Sequence, residues 1–586
     1  MPQSRPPRGS RRGSPQLRLR VGFVLIAMVL SLFGARLVQL QGLDPNSYAA
    51  MAAAEGLVKA VLPAERGDIL DRNGKPIARS VDGMMIVADP QLTSEHATAL
   101  ARFLYRRLSV DYPGTLAKLR AENSRFEYVA RRVPSTIATA TVEAAARRGF
   151  VGLDTRRDPV RDYPAGDVAA NLVGFMGTDE PLAGFERTFN DQLAGTDGSE
   201  RYEVGGGNRL PLGQSTVTEP VDGQDLHTTI DLDLQWYTQR VLRQAVDGSG
   251  GESGFAVVMD SRTGEILALA DDPTFDANHP TDAPKADLGS RALQDVYEPG
   301  SVEKVLTLSS LINERQVTPR TKIVVPPALN REDRTIHDWF PHGTIHLTLA
   351  GVVAQSSNIG TVLAADRFKS GQLYDYLRAF GLGQKTGIGV RGETTGLLPA
   401  KSQWTHQMQD RIAFGQSLSV NGVQMAAAVN TIANHGVRID PSIIEGKATT
   451  VDGDVVGTDT TTEHRVVSAR AATATTHMME RVVDPDVGVA PGAAVPGYVV
   501  AGKTGTAQRV GAECGCYDGT FTVSFAGFAP ADDPRFTVYV VVQDPSNGGG
   551  GGSVGGPAFS KIMSYALRRY AVPPTGGQPS HLPVTW

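Results

Sequence analysis

Cysteine is almost absent from this 586-residue chain, with Cys514 and Cys516 the only two. A disulfide framework is thereby excluded, as are zinc sites built on CxxC-type patterns. Excess charge is lacking too, since 57 basic residues against 62 acidic ones leave a net −5. That balance argues against nucleic acid as a partner and against an acidic, disordered chain. Locally the balance breaks. Residues 1–20 contain no acidic residue and carry Arg5, Arg8, Arg11, Arg12, Arg18 and Arg20.

This basic arm runs into Val21 to Ala35, uncharged throughout, and then a mostly apolar Leu37–Leu40. With Arg36 snorkelling, residues 21–40 suffice to cross a bilayer. Phe33-Gly34-Ala35 lacks the small residue three positions before a signal-peptidase cut, so the span reads as a retained anchor. The positive-inside rule then predicts a cytosolic tail, residues 1–20, and an extracytoplasmic remainder.

The length exceeds what one core accommodates and predicts two or three domains. Residues 41–220 read as an α+β pedestal, with a strand at Met84–Ala88 and helices at Ser94–Leu108 and Pro134–Arg148. Residues 221–572 begin with a helix, Asp233–Val246, and a hairpin, Gly254–Met259 with Glu265–Ala270. Helix-rich sequence comes next, then strands at Tyr498–Ala501, Thr520–Phe525 and Arg535–Val542, and a last helix at Pro557–Tyr570. Residues 573–586 form a tail. The expected class is α+β throughout.

Three short patterns carry chemistry. In Glu298-Pro-Gly-Ser301-Val-Glu-Lys304, the Pro-Gly break puts Ser301 at a helix start, with Lys304 one turn up the same face. A serine so placed, beside a lysine and the free N–H groups of a helix start, suits an activated nucleophile. The second pattern is Ser356-Ser-Asn358, at the end of a short apolar helix. The third, Lys503-Thr-Gly-Thr506, is attached to a strand. A tripeptide of this kind is cheap, and the chain holds a second copy, Lys385-Thr-Gly387, in a glycine-punctuated loop with no strand before it. Lys385 is therefore read as solvated loop charge and Lys503 as the motif.

The order SxxK, SxN, KTG resembles the class B penicillin-binding proteins, the monofunctional transpeptidases of peptidoglycan synthesis. The resemblance extends to Arg66-Gly-Asp-Ile-Leu-Asp-Arg-Asn-Gly74, Arg161-Asp-Tyr-Pro164 and Gly184-Phe-Glu186 in the pedestal. Phe380-Gly-Leu-Gly383, Thr386-Gly-Ile388 and Gly415-Gln-Ser-Leu-Ser-Val420 extend it through the second domain. A short pedestal without C-terminal repeats is most similar to the cell-division branch, the FtsI type. The resemblance implies a transpeptidase domain of the serine β-lactamase-like fold, with an antiparallel sheet and helices.

It further implies that Ser301 forms an ester with the penultimate D-alanine of a stem peptide, that Lys304 is the base, and that Ser356 relays a proton. Asn358 then holds the substrate amide, and Lys503, Thr504 and Thr506 grip the terminal carboxylate. Gly505 permits close backbone approach, and the N–H groups of Ser301 and Thr506 form the oxyanion hole. β-Lactams are implied as inhibitors, D-Ala-D-Ala stem peptides as substrates, and an FtsW-type glycosyltransferase with other divisome membrane proteins as partners. No metal or cofactor is implied.

Two positions depart from this picture. Glu303 stands where many members of the resembled family carry a neutral residue, and helical spacing about 100° from its neighbours predicts a solvated or partner-facing carboxylate. Cys514 and Cys516 lie outside the cytosol and are expected to close a loop disulfide. A hydrolase would use the same serine and lysine, but no Glu-x-x-Leu-Asn segment comes after Ser356 to supply a class A deacylating glutamate. An idle scaffold would have lost Ser301, Lys304 or Lys503. Glu332 to His337 lacks a glycosyltransferase pattern.

Overall fold

The computed structural model describes residues 15–39, 57–122, 124–205, 208–209, 215–332, 334–511 and 515–586. Contacts divide the chain into two compact units. One contains residues up to 63 with Thr196–Val221, the other Ala64–Gly195 with Asp222–Trp586.

The smaller unit holds helix α1, Pro15–Val38, and a sheet in which Gly198–Gly205 pairs antiparallel with both Leu57–Leu62 and Ser215–Thr218. The 24 residues of α1 bury nothing within the protein. At 1.5 Å per residue such a helix is about 36 Å long, enough for a bilayer core of about 30 Å. An apolar N-terminal helix of this kind fits a single-pass membrane anchor. The helix extends six residues ahead of the expected membrane span, because Pro15 suits a first helical turn and the basic residues behind it are good helix formers. Gln39 accepts a hydrogen bond from Arg36 at 2.8 Å, while Gln41 lies outside the described residues.

In the larger unit, strand Gly83–Ala88 runs between Glu127–Pro134 and Leu153–Arg157, antiparallel to both. Helices Ala97–Leu108 and Ser135–Ala146 cover this sheet and close a small core around Ile86, Leu100 and Leu104. The three pedestal signatures converge on one buried carboxylate. Glu186, fully buried, accepts from Arg66 Nε at 2.5 Å and from Arg161 Nε at 2.6 Å.

The second layer system begins with α2, Leu232–Ser249, capped by Asp231, whose carboxylate accepts from the N–H groups of Asp233 and Leu234. Strands β1 (Ser253–Asp260) and β2 (Ile266–Asp272) form the expected hairpin. Helices α3 (Lys304–Asn313), α4 (Leu349–Ala354), α5 (Asn358–Ala365), α6 (His406–Ala413), α7 (Gly422–Ala433) and α8 (Ala469–Val483) come after it. The chain then returns to the sheet through β3 (Ala501–Val510), β4 (Tyr517–Ala529) and β5 (Phe536–Gln543), and ends its helices with α9, Gly555–Arg569. The sheet order is β2-β1-β5-β4-β3, antiparallel at every step.

Helices cover both faces of this sheet, which is why β1, β2 and β5 are buried at every position. Side-chain alternation identifies the faces. A Cβ on Gly254 would touch Val246 and Leu242 of α2, whereas the ring of its neighbour Phe255 packs under Gly422 of α7.

One expected strand is displaced. The ladder with β4 starts at Ala501, paired with Phe528, so Tyr498–Val500 precede the strand and Lys503 lies within it. Strand β4 ends at Ala529 because Pro530 has no N–H to continue the ladder. Residues 573–586 are docked: Thr348 N donates to Val584 O at 3.0 Å and Trp586 Nε1 to Leu347 O at 3.1 Å, at the root of α4.

Candidate active site

Ser301 lies in a 3₁₀ turn, Gly300–Val302, that leads into α3 at Lys304. Three residues per turn align positions i and i+3, so the turn brings Ser301 and Lys304 to one side. Gly300 makes the bend at φ +55° and its N–H donates to Gly415 O at 3.0 Å. Glu298 pins the approach, accepting from Ser417 N at 2.8 Å and from Tyr517 OH at 3.1 Å. Burial raises the Glu298 carboxyl above its ordinary range.

The edge strand β3 closes over this turn. A Cβ on Gly505 would meet Ser524 Oγ at 2.2 Å, Val302 Cγ2 at 3.0 Å and Pro299 O at 3.1 Å, so only glycine admits the approach. Along β3 Lys503 is fully buried, Thr504 nearly so and Thr506 exposed.

Ser356 joins the three motifs. Its hydroxyl accepts from Lys503 Nζ at 2.8 Å and stands 3.5 Å from Lys304 Nζ. Lys503 also donates to Thr504 O at 3.0 Å and Thr504 Oγ1 at 3.2 Å. Ser356 adopts φ +57°, a left-handed conformation costing a non-glycine residue about 1–2 kcal/mol. The turn between α4 and α5 imposes it, and the result is a serine hydroxyl held between two lysines.

Lys304 is fully buried and donates to Ser356 O and Asn358 Oδ1, both at 2.7 Å. A neutral amine has two N–H groups for these two acceptors and keeps its lone pair for a hydroxyl proton. Burial pushes Lys304 down to about 7, with the charges of Asp338 and Glu303 pulling it back up. Lys503 is also pushed down, first by burial and then by the Lys304 charge. Ser301 Oγ makes no hydrogen bond among the described residues.

Glu303 corrects the sequence reading. It is fully buried, because α3 is covered on every side from Lys304 to Ile312 and offers no solvent face. Its Oε1 accepts from Thr307 Oγ1 at 2.6 Å, Oε2 has no partner among the described residues, and burial raises the carboxyl well above the ordinary range. Cys516 is in a disulfide; Cys514 lies outside the described residues.

Asp338 escaped the sequence reading. Its buried carboxylate accepts from Ser357 Oγ at 2.7 Å and from Ile359 N at 3.0 Å, with His342 Nε2 at 3.2 Å, and so fixes the start of α5. Asn358 Nδ2 donates to the adjoining His337 O at 3.0 Å. Asp338 lies 18 residues before Ser356 with no local pattern to mark it. Among the described residues no cluster of His, Cys, Asp and Glu could hold a metal.

Residues 254–564 match the penicillin binding protein transpeptidase domain and residues 61–181 the penicillin-binding protein dimerisation domain. The chain is 35% identical to the penicillin-binding protein PbpB of Mycolicibacterium smegmatis over 98% of its own length and 94% of that protein's. It is 32% identical to the peptidoglycan D,D-transpeptidase FtsI of Escherichia coli over 95% and 92%. Its fold matches the crystal structure of penicillin binding protein 3 from Mycobacterium tuberculosis complexed with aztreonam. That match has a TM-score of 0.69 at 32% identity and covers 90% of this chain and all of the other. This chain therefore belongs to the class B penicillin-binding proteins, among relatives of the PbpB and FtsI type.

Proposed function

We propose that the protein cross-links peptidoglycan stem peptides as a D,D-transpeptidase, with Ser301 as nucleophile. The observation that carries this reading is the Ser356 hydroxyl, which accepts from Lys503 and stands next to Lys304. Because Lys503 donates to one of its lone pairs, the hydroxyl's own proton is left for another group.

Neutral Lys304 takes the proton of Ser301 as Oγ adds to the carbonyl of the penultimate D-alanine. The N–H groups of Ser301 and Thr506 receive the charge that develops on the carbonyl oxygen. Ser356 passes its proton to the leaving amine as the C–N bond breaks, and Lys304 or Lys503 reprotonates Ser356. Asn358 holds the peptide amide, while Lys503, Thr504 and Thr506 hold the carboxylate of the departing D-alanine. An amine from a second stem peptide then attacks the ester, giving up a proton as Ser301 regains one. β-Lactams enter by the same first step and remain as the ester.

The basic arm supports residues 1–20 in the cytosol, residues 21–40 across the membrane and the chain after residue 40 outside, with residues 41–220 as pedestal. The FtsI-type likeness supports a place at the division septum, beside an FtsW-type glycosyltransferase. Labelled penicillin and peptide mapping test the central step. One label per chain, on Ser301, supports it; a label elsewhere, or full labelling of Ser301→Ala, refutes it. Supplying an acceptor amine separates transfer from hydrolysis, because only transfer yields the cross-linked amide.

A further inference from the structure

The tail, residues 573–586, is strapped down at three places. Thr575 Oγ1 donates to Asp532 Oδ1 at 2.8 Å, just past β4. Ser580 is held at the end of α8, its N–H donating to Glu480 Oε2 at 2.6 Å and its carbonyl accepting from Arg481 at 2.9 Å. Residues 583–586 then run beside the strand Ile345–Thr348, which leads into α4, and Thr585 makes an antiparallel bridge with Leu347.

This third attachment is the closest. Thr348 N donates to Val584 O at 3.0 Å, the Thr348 hydroxyl donates to Pro583 O, and Trp586 N donates to His346 O at 3.2 Å. Val584 O lies so near Gly351, inside α4, that a Cβ there would stand 2.0 Å from it. Around the Trp586 ring, Lys322 Nζ is 4.5 Å from the centroid and the His346 ring packs edge-on at 4.8 Å.

The helix held in this way ends at Ser356. With six residues, all buried, α4 is too short to hold its geometry alone and takes it from its ends. At its start the Thr348 hydroxyl, while donating to the tail, accepts from Gly351 N at 3.0 Å. At its end Gly351 O accepts from Gln355 N at 2.9 Å and Val353 O from Ser356 N at 3.2 Å. One turn of helix therefore links Val584 to the backbone of Ser356. The Ser356 hydroxyl works at 2.8 Å from Lys503 and 3.5 Å from Lys304, and a displacement of about 1 Å at such a site can cost about 10²-fold in rate.

We propose that residues 583–586 are positioning residues for Ser356, acting through the start of α4. This rests on the D,D-transpeptidase reading above, with Ser356 as proton relay, and names what holds the relay in place.

Acylation by labelled penicillin is measured on detergent-solubilised full-length protein, with Ser356 intact and with Ser356→Ala. Deleting residues 583–586 should slow acylation about tenfold in the first and less than about twofold in the second, where no relay remains to misplace. Trp586→Ala should show the same contrast at about threefold. Gly351→Ala should slow the complete chain about fivefold, because its Cβ meets Val584 O, and should cost less than about twofold once residues 583–586 are removed. Thermal melts establish which variants are folded; should the deletion not fold, Trp586→Ala in the two Ser356 backgrounds decides. Equal fold-losses in both backgrounds, no loss with Ser356 intact, or a Gly351→Ala cost that persists in the shortened chain overturns the positioning role and leaves the Ser301 reading standing. Full-rate acylation of Ser356→Ala overturns the relay reading itself, and this inference with it.

Discussion

The chain contains the tripeptide Lys-Thr-Gly twice, and the two copies share nothing but letters. Lys503 is fully buried in the edge strand β3, donating to Ser356 and Thr504. Lys385 is exposed in a loop. Even the glycines differ in what requires them. Gly505 is needed for space, since a Cβ would strike Ser524, Val302 and Pro299, whereas Gly387 has open space around it and is held at φ +88°. Thr386, in the loop copy, turns its N–H to Glu393 at 2.7 Å, an internal contact of the loop. A lysine becomes a site residue here because a strand edge buries it against a second lysine and a serine hydroxyl. The tripeptide does not carry that burial with it.

The sharpest way to break this comparison is to truncate both lysines. Lys503→Ala should slow acylation by labelled penicillin about 10²- to 10³-fold, as for loss of a buried cation aimed at the ligand. Lys385→Ala should change it by less than about twofold, as for an exposed side chain. Equal losses in two folded variants would remove the distinction. The glycines should separate next. Gly505→Ala should lower acylation about tenfold and cost about 1–3 kcal/mol of stability, because β3 must move away from the Ser301 turn. Gly387→Ala should cost about 1 kcal/mol through its backbone conformation and leave acylation unchanged. Thermal melts beside the labelling rates read both effects.

Much of this was legible in sequence, because the site is assembled at element boundaries that leave local marks. Pro299-Gly300 announces the turn before α3, and the apolar run before Ser356 announces α4. Strand context separated Lys503 from Lys385 even though the strand itself starts only at Ala501, where Pro530, just past the end of β4, ceases to limit the ladder. Tertiary packing was not legible. Helical spacing gives the direction of Glu303 but not what lies in that direction, and every direction around α3 is filled. Asp338 reaches the start of α5 through a fold-back of the chain, which no spacing encodes.

These two carboxylates provide the finest test, because the burial that separates Lys503 from Lys385 also sets Lys304. Acylation needs Lys304 as the free amine, so its rate should fall as pH drops through about 7. Asp338 holds that value up by attraction for the charged form, so Asp338→Asn should move the acid limb to lower pH. Stopped-flow acylation by a chromogenic cephalosporin, tracked from about pH 5 to about pH 9, reads the limb directly. Glu303 presents a conflict. As a carboxylate it would also hold Lys304 up, yet its own burial raises it well above the ordinary range and favours the neutral acid. Burial decides the matter, since Oε2 has no partner among the described residues and only the Thr307 hydroxyl and the Lys304 charge support the carboxylate. A neutral Glu303 has little charge to lose, and Glu303→Gln should shift the limb less than Asp338→Asn does. A shift of equal or greater size would mean that Glu303 is ionised beside Lys304, and that the buried end of α3 holds an ion pair.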